Sequence, residues 1–157
     1  MVKKLTVRSR GLTVELFAEP EDTEIEGNAS AIDEETDRET NESIRAQLAS
    51  GNEWAWCCAH VRVTYTDPAS GEDLTSDQYL GGCSYASAAD FIGSKFTVTG
   101  PRGRKYPPRG YYDDMIDEGI ADIRAQLDRR EHFATCAHCQ AVTKAARAGA
   151  FPAPCGA

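Results

Sequence analysis

Residues 53–85 read EWAWCCAHVRVTYTDPASGEDLTSDQYLGGCSY, two runs typical of β-strands joined by a turn. Because side chains alternate along a strand, the first run presents two different faces. One face is small and apolar and consists of Ala55, Cys57, Ala59, Val61, Val63 and Tyr65. The other begins with tryptophan and ends polar, and it consists of Trp54, Trp56, Cys58, His60, Arg62 and Thr64. This pattern predicts an antiparallel hairpin with one face under a helix and the other facing solvent or a partner.

Glycine and proline indicate where the chain turns. Asp67-Pro68 and Ser70-Gly71 predict the turn of this hairpin. Gly81-Gly82, inside the return strand, predicts a β-bulge or a close approach to the backbone. Residues 2–17 alternate in the same way and are divided by Gly11, which predicts a second hairpin.

Two helices are predicted, and the capping pattern Ser87-Ala-Ala-Asp90 predicts in addition one short helical turn anchored by Phe91 and Ile92. The stronger covers residues 111–127, where apolar residues recur at three- and four-residue spacing, namely Tyr112, Met115, Ile116, Ile120, Ile123 and Leu127. Gly119 lies beside this stripe, where the missing side chain would let helix and sheet approach closely. The weaker helix, near 33–50, begins at Ser30 or Asp33 and stops at Gly51. Because only Ile44 and Leu48 are strongly apolar in it, we expect a surface helix.

A chain of 157 residues is about one domain long. We expect an α+β fold in which a small antiparallel sheet of hairpins is covered by the 111–127 helix. This domain would span residues 1–130, and residues 131–157 would form a tail rich in cysteine and alanine. No run approaches the roughly 20 apolar residues that span a bilayer, and the basic start leads into no apolar signal core. We therefore expect a cytoplasmic protein without membrane contact.

Charge is distributed unevenly along the chain, whose net charge is −8. Between positions 15 and 42, twelve carboxylates accompany one basic residue, Arg38. Such a segment repels phosphates, so we expect direct nucleic-acid binding to be disfavoured. Basic residues gather instead near the chain start and in the loop at 93–110, which is rich in glycine and proline. Phosphate contact by that loop is the alternative to a solvated loop.

Four short patterns resemble a group of small proteins encoded by phages and prophages. They are EGNASA at 26–31, NEWAWC at 52–57, YLGGCSY at 79–85 and GYYDDM at 110–115. The resemblance covers roughly residues 13–127 and implies a phage setting in a host cell, with no established activity attached. The loop at 93–109 and the cysteine-containing tail are additions to that pattern.

The tail contains one candidate metal site. Cys136 and Cys139 have the Cys-x-x-Cys spacing of a zinc knuckle, because two thiolates in a tight turn can share one tetrahedral ion. Cys155 would be the third ligand, and His132 or His138 the fourth. The second paired motif of a zinc knuckle is missing, so the alternative is an alanine-rich helix with ordinary cysteines. Zinc is the only cofactor we expect.

The central run contains two further candidates. Trp54 and Trp56 have the composition of a binding hot spot, although tryptophans of this kind more often pack beneath a neighbouring element. Cys58 and His60 share a face, which suits a thiol nucleophile and a base. The sequence indicates no carboxylate that would orient His60 and no oxyanion-hole motif. We therefore predict that the protein is not an enzyme.

Two classes of function follow. The first is a small acidic phage accessory protein that binds a host protein or protein–nucleic-acid complex, for example as an anti-defence inhibitor of a CRISPR or restriction complex. Its partner-binding residues would be Glu34, Glu35, Asp37, Glu39, Glu42, Trp54 and Trp56. The second is a zinc-binding module that contacts nucleic acid or a protein through the basic loop and the tail. Convergence of loop and tail on one face would favour the second class.

Overall fold

The two predicted hairpins form one antiparallel sheet in the computed structural model, which describes residues 5–9, 11–29, 32–68, 70–97, 99 and 101–135. The strands neighbour each other in chain order and are β1 (Leu5–Ser9), β2 (Leu12–Pro20), β3 (Cys57–Thr66) and β4 (Asp73–Cys83). The helices are α1 (Glu34–Ala49), α2 (Ala88–Gly93) and α3 (Tyr111–Thr135). The predicted α+β class is confirmed. None of the helices in the described residues is both long and apolar enough to cross a bilayer.

The predicted turns set the strand register. Thr66 pairs with Asp73 across the turn, which places Arg62 opposite Asp77. On its other edge β3 pairs with β2, so that His60 lies opposite Phe17. Strand β3 is therefore hydrogen-bonded along both edges. On either face of the sheet, its side chains lie between side chains of β2 and β4.

A β-bulge interrupts β4 at the predicted glycine pair. The pairing shifts between Cys57 and Ala59, and Gly82 adopts a φ of 64°. Glu21, just beyond β2, reaches this bulge, and its Oε2 accepts a hydrogen bond from the Gly82 amide at 2.5 Å. A Cβ on Gly81 would lie 2.9 Å from the same oxygen. Both the bulge and the close approach are confirmed.

The core lies between α3 and the apolar face of the sheet. From β3 it contains four residues with at most 1% exposure, namely Cys57, Ala59, Val61 and Val63. From α3 it contains Tyr112, Met115 and Ile123, with Ile116, Ile120 and Leu127 partly buried around them. Helix α2 is capped by Ser87 and contributes Phe91 to this core.

Gly119 makes the closest contact between α3 and the sheet. A Cβ at this position would lie 2.7 Å from Cγ2 of Val63, well inside the separation that two carbon atoms tolerate. The helix can approach β3 only because this side chain is missing, so the close approach predicted for Gly119 is confirmed.

Helix α3 extends beyond the predicted limit of residue 127. Its apolar stripe ends at Leu127, but the helix continues to Thr135, past the boundary predicted between residues 130 and 131. A polar contact supports this extension, since Arg130 pairs with Glu72 at 2.9 Å. The rest of the predicted tail lies outside the described residues.

Helix α1 has the predicted surface position and defined ends. Asp33 caps it by accepting a hydrogen bond from the Thr36 amide at 2.7 Å. At the other end Gly51 has a φ of 89° and begins a Schellman motif, in which the Asn52 amide donates to the Gln47 carbonyl at 3.0 Å. Its buried residues are Asn41 and Ile44, so one of its two anchors is polar.

Replacing Gly119 by Ala tests the helix–sheet contact. Helix propensity alone would stabilise the protein by about 1 kcal/mol. We expect instead a loss of about 1–3 kcal/mol, because the new methyl group overlaps Val63. Urea unfolding measures this free energy. The double variant with Val63→Ala should show favourable coupling, whereas additive effects of the two substitutions would contradict the contact.

Candidate functional surfaces

Most of the predicted acidic surface is exposed on α1. Glu34, Glu35, Glu39 and Glu42 all project into solvent from this helix. Asp37 differs, because it turns towards the preceding loop, where its Oδ2 lies 3.4 Å from the Gly27 amide and 3.1 Å from Asn41 Nδ2. Four of the five predicted carboxylates are thus available to a partner, and the fifth holds α1 against the loop.

Two arginines moderate this charge only weakly. Arg38 lies 4.0 Å from Glu35, and Arg45 pairs with Glu26 of the preceding loop. Both pairs are largely exposed, and pairs of this kind contribute little to stability. The outer face of α1 therefore retains a net negative charge on a helix with fixed side-chain spacing.

Both tryptophans are buried, and the structure explains why strand alternation misplaced them. Asn52 caps a short 3-10 turn at Glu53–Ala55, so β3 begins only at Cys57. Trp54 enters the main core and stacks on Phe91 with ring centroids 5.5 Å apart. Trp56 is 7% exposed, and its indole nitrogen donates to the Thr23 carbonyl at 2.8 Å. Of the predicted partner-binding residues, Trp54 and Trp56 are therefore part of the packed interior. The exposed residues of that set lie on the acidic helix α1.

The predicted zinc ligands cannot be placed together. Cys136, His138, Cys139 and Cys155 lie outside the described residues, and His132 is described only as part of the α3 backbone. Among the residues whose side chains are described, no group of three or more histidine, cysteine, aspartate or glutamate residues could hold a metal ion. The zinc site stays a prediction.

A polar cluster that the sequence analysis missed occupies the face of the sheet opposite α3. His60 is 3% exposed, and its ring stacks on Tyr79 at 4.4 Å and packs against Phe17 at 5.1 Å. Its Nδ1 lies 2.6 Å from Glu19 and its Nε2 lies 2.7 Å from Asp77. Both contacts are hydrogen bonds only when both nitrogens carry a proton, as in the imidazolium form.

Arg62 completes this cluster and sets its electrostatics. Its Nε donates at 2.7 Å to the same oxygen of Asp77 that contacts His60. Partial burial would raise the pKa of Asp77, but the hydrogen bonds from Arg62 and His60 outweigh that effect and lower it. The hydrogen bond to Asp77 likewise raises the pKa of Arg62. The charges of Arg62 and Asp77 therefore neutralise each other within the cluster.

The prediction that no carboxylate orients His60 was wrong, because Glu19 and Asp77 both contact its ring. Asp77 could have been found by counting back from the turn at 67–72, since that register places Arg62 opposite Asp77. Glu19 could not, because the pairing of β2 with β3 joins segments 41 residues apart. No local pattern specifies such a pairing.

The cysteines of the sheet have the properties of structural thiols. Cys58 shares the face of His60, but the two nitrogens of that ring lie within hydrogen-bond distance of Glu19 and Asp77 rather than of the thiol. Burial and then the nearby Glu21 and Glu19 raise the pKa of Cys58. Burial raises the pKa of Cys57 to about 12 and also raises the pKa of Cys83. These shifts oppose thiolate formation and hence nucleophilic chemistry.

Comparison with known proteins gives no match: no family model, no curated protein and no solved structure is significantly similar to the chain.

The polar cluster predicts a pH dependence of stability. The pKa of Asp77 in the folded protein lies below its ordinary value of 3.8, so the ionised carboxylate stabilises the fold above that pH. This stabilisation is lost as the pH falls through the folded-state pKa. We expect wild type to exceed Asp77→Asn in unfolding free energy near neutral pH, with a difference that shrinks below about pH 4. Urea unfolding at several pH values measures it, and Glu118→Gln reports the background effect of losing one carboxylate.

Thiol accessibility provides a second prediction. In a variant with Cys136, Cys139 and Cys155 replaced by serine, three cysteines remain. At about pH 8, where an ordinary thiol reacts readily, we expect Cys57 and Cys83 to stay unmodified by a disulfide reagent until the protein unfolds. Peptide mass mapping before and after adding denaturant measures this, and rapid modification of Cys57 in the native protein would contradict its burial.

Proposed function

We propose that the protein acts by binding a basic surface of a host protein or protein–nucleic-acid complex through the acidic face of α1. The observation that carries this proposal is the exposure of Glu34, Glu35, Glu39 and Glu42 on a helix with defined caps at both ends. A capped helix holds its charges at fixed spacing, so it loses little conformational entropy on binding. Charges arranged in this way favour fast and selective association with a positively charged groove.

A groove beside the last turn of α1 adds an anchor point to this surface. Its volume is about 410 Å³, and it is lined by Ala18, Glu19, Pro20, Glu21, Leu48, Glu53 and Trp56. Apolar side chains and three carboxylates thus meet in one concave site. An arginine of the partner suits such a site, because its methylene groups pack on apolar carbon while its guanidinium group contacts carboxylates.

The resemblance to phage-encoded proteins supports a host component as the partner. Carboxylates at regular spacing present negative charge as the phosphates of nucleic acid do. A basic channel that normally holds nucleic acid would therefore attract α1. In that setting the protein is a non-enzymatic anti-defence inhibitor that acts inside the host cell, against a CRISPR or restriction complex.

Charge reversal on α1 tests the proposed function. The double variant Glu35→Lys and Glu39→Lys places two cations on adjacent turns of the acidic face, where they would repel a basic groove. We expect capture of specific partners from host lysate to be lost, while the thermal midpoint changes little because both side chains are exposed. Quantitative mass spectrometry of captured proteins measures the loss.

The matched control is Glu118→Lys with Asp128→Lys, which makes the same charge change at exposed positions of α3. This control should capture the partners as wild type does. A second variant, Leu48→Arg, places a cation in the groove and should weaken capture. Unchanged capture by the α1 double variant would contradict the proposed function, as would equal losses in the α1 variant and the α3 control.

A further inference from the structure

The predicted basic loop folds into a short hairpin with a firm base. Phe96 and Arg109 form an antiparallel bridge, with amide-to-carbonyl distances of 2.8 and 3.1 Å, and Thr99 bridges to Lys105. The base is attached to the first turns of α3 by ion pairs of Lys95 with Asp113 and of Arg109 with Asp114 and Asp117. Residues 95–97, 99 and 101–109 form what is called the basic hairpin.

The charges at the base and at the tip of the basic hairpin differ in their pairing. Lys95 and Arg109 neutralise carboxylates of α3, as described above. In the part of the chain that the structure describes, no carboxylate forms an ion pair with Arg102, Arg104 or Lys105 at the tip, and all three residues are exposed. The tip is therefore a local positive site on a protein whose net charge is −8.

Exposed aromatic rings accompany these cations. Phe96, Tyr106 and Tyr111 are 41%, 42% and 49% exposed. The guanidinium of Arg104 lies over the ring of Tyr106 at 5.5 Å, and Phe96 contacts Tyr111 edge to face at 5.4 Å. Tyr106 therefore lies among the unpaired cations of the tip, while Phe96 and Tyr111 lie at the base. An exposed ring among unpaired cations is typical of a surface that binds a ligand.

We propose that the basic hairpin binds single-stranded nucleic acid. Arg102, Arg104 and Lys105 would contact phosphates, and the ring of Tyr106 would stack on an unpaired base. A single strand fits this arrangement better than a duplex, because only unpaired bases expose their faces to an aromatic side chain. The expectation against nucleic-acid binding came from the acidic segment at 15–42, whereas the basic hairpin is attached to α3. This second surface is independent of the function proposed for α1.

The test measures binding of the full-length protein to a fluorescein-labelled oligothymidylate by fluorescence anisotropy. Three cations on a single strand predict a slope of about −2 for log affinity against log salt, or about a 20-fold loss between about 50 and 200 mM salt. The variant Arg102→Gln with Lys105→Gln leaves one cation, so the same loss should fall to about threefold. Tyr106→Leu should weaken binding about tenfold without changing the slope.

The matched control is Arg124→Gln with Arg129→Gln, which removes two exposed cations from α3 and should bind as wild type does. The proposal is overturned if wild type shows no binding at about 100 µM protein, the weak end of electrostatic association. It is also overturned if the control weakens binding as much as the hairpin variant, or if a duplex binds as well as the single strand. Binding of a polyglutamate peptide without binding of the oligonucleotide would assign the hairpin to an acidic protein instead. Because no α1 residue is changed, failure here leaves the test of the proposed function intact.

Discussion

The distance between α3 and the sheet depends on the contact of Gly119 with Val63. Without a side chain at position 119, the helix settles directly on β3, and the residues one turn further along come within reach of β4. There Asp122 accepts hydrogen bonds from Ser76 and Gln78, each at 2.9 Å. A methyl group at position 119 would lift the helix away from these partners as well as from Val63. Both the apolar contacts of the core and the polar contacts beside it therefore require that position 119 carries no side chain.

The opposite face of the sheet is stabilised in a different way, because the long helix α3 packs on the other side. His60 takes the central position, between the rings of Phe17 and Tyr79 and the carboxylates of Glu19 and Asp77. A buried ionisable group is costly unless it is paired and hydrogen-bonded, and here each nitrogen has its own partner. Side chains of β2, β3 and β4 therefore pack against one another on this face. Its geometry is that of a structural network, since neither nitrogen is left for a substrate.

Charge pairing separates the structural from the available parts of the surface. Lys95, Arg109 and Arg130 each join two elements of the fold through carboxylates. Within the described residues, the glutamates on the outer face of α1 and the cations at the tip of the basic hairpin do not join elements in this way. A charge that contributes little to the fold is free to contribute to association, and its effect then depends on ionic strength. The molecule thus presents two surfaces of opposite sign on different elements.

Local patterns in the sequence determined the elements of this protein. Strand alternation identified the apolar face of β3, and helical spacing identified α3. Turn and capping residues identified the hairpins, two possible starts of α1 at Ser30 or Asp33, and its end at Gly51. These features depend on neighbours within a few residues, which is why a single sequence contains them.

Only the tertiary structure decided how the elements combine. The pairing of β2 with β3 brought Glu19 and Phe17 to His60, and the 3-10 turn after α1 turned Trp54 into the core. The tertiary structure also decided which charges stay unpaired, because each ion pair depends on the distance between segments that are remote in the chain. The composition of the surfaces can therefore be read from the sequence, while their availability follows from the packing.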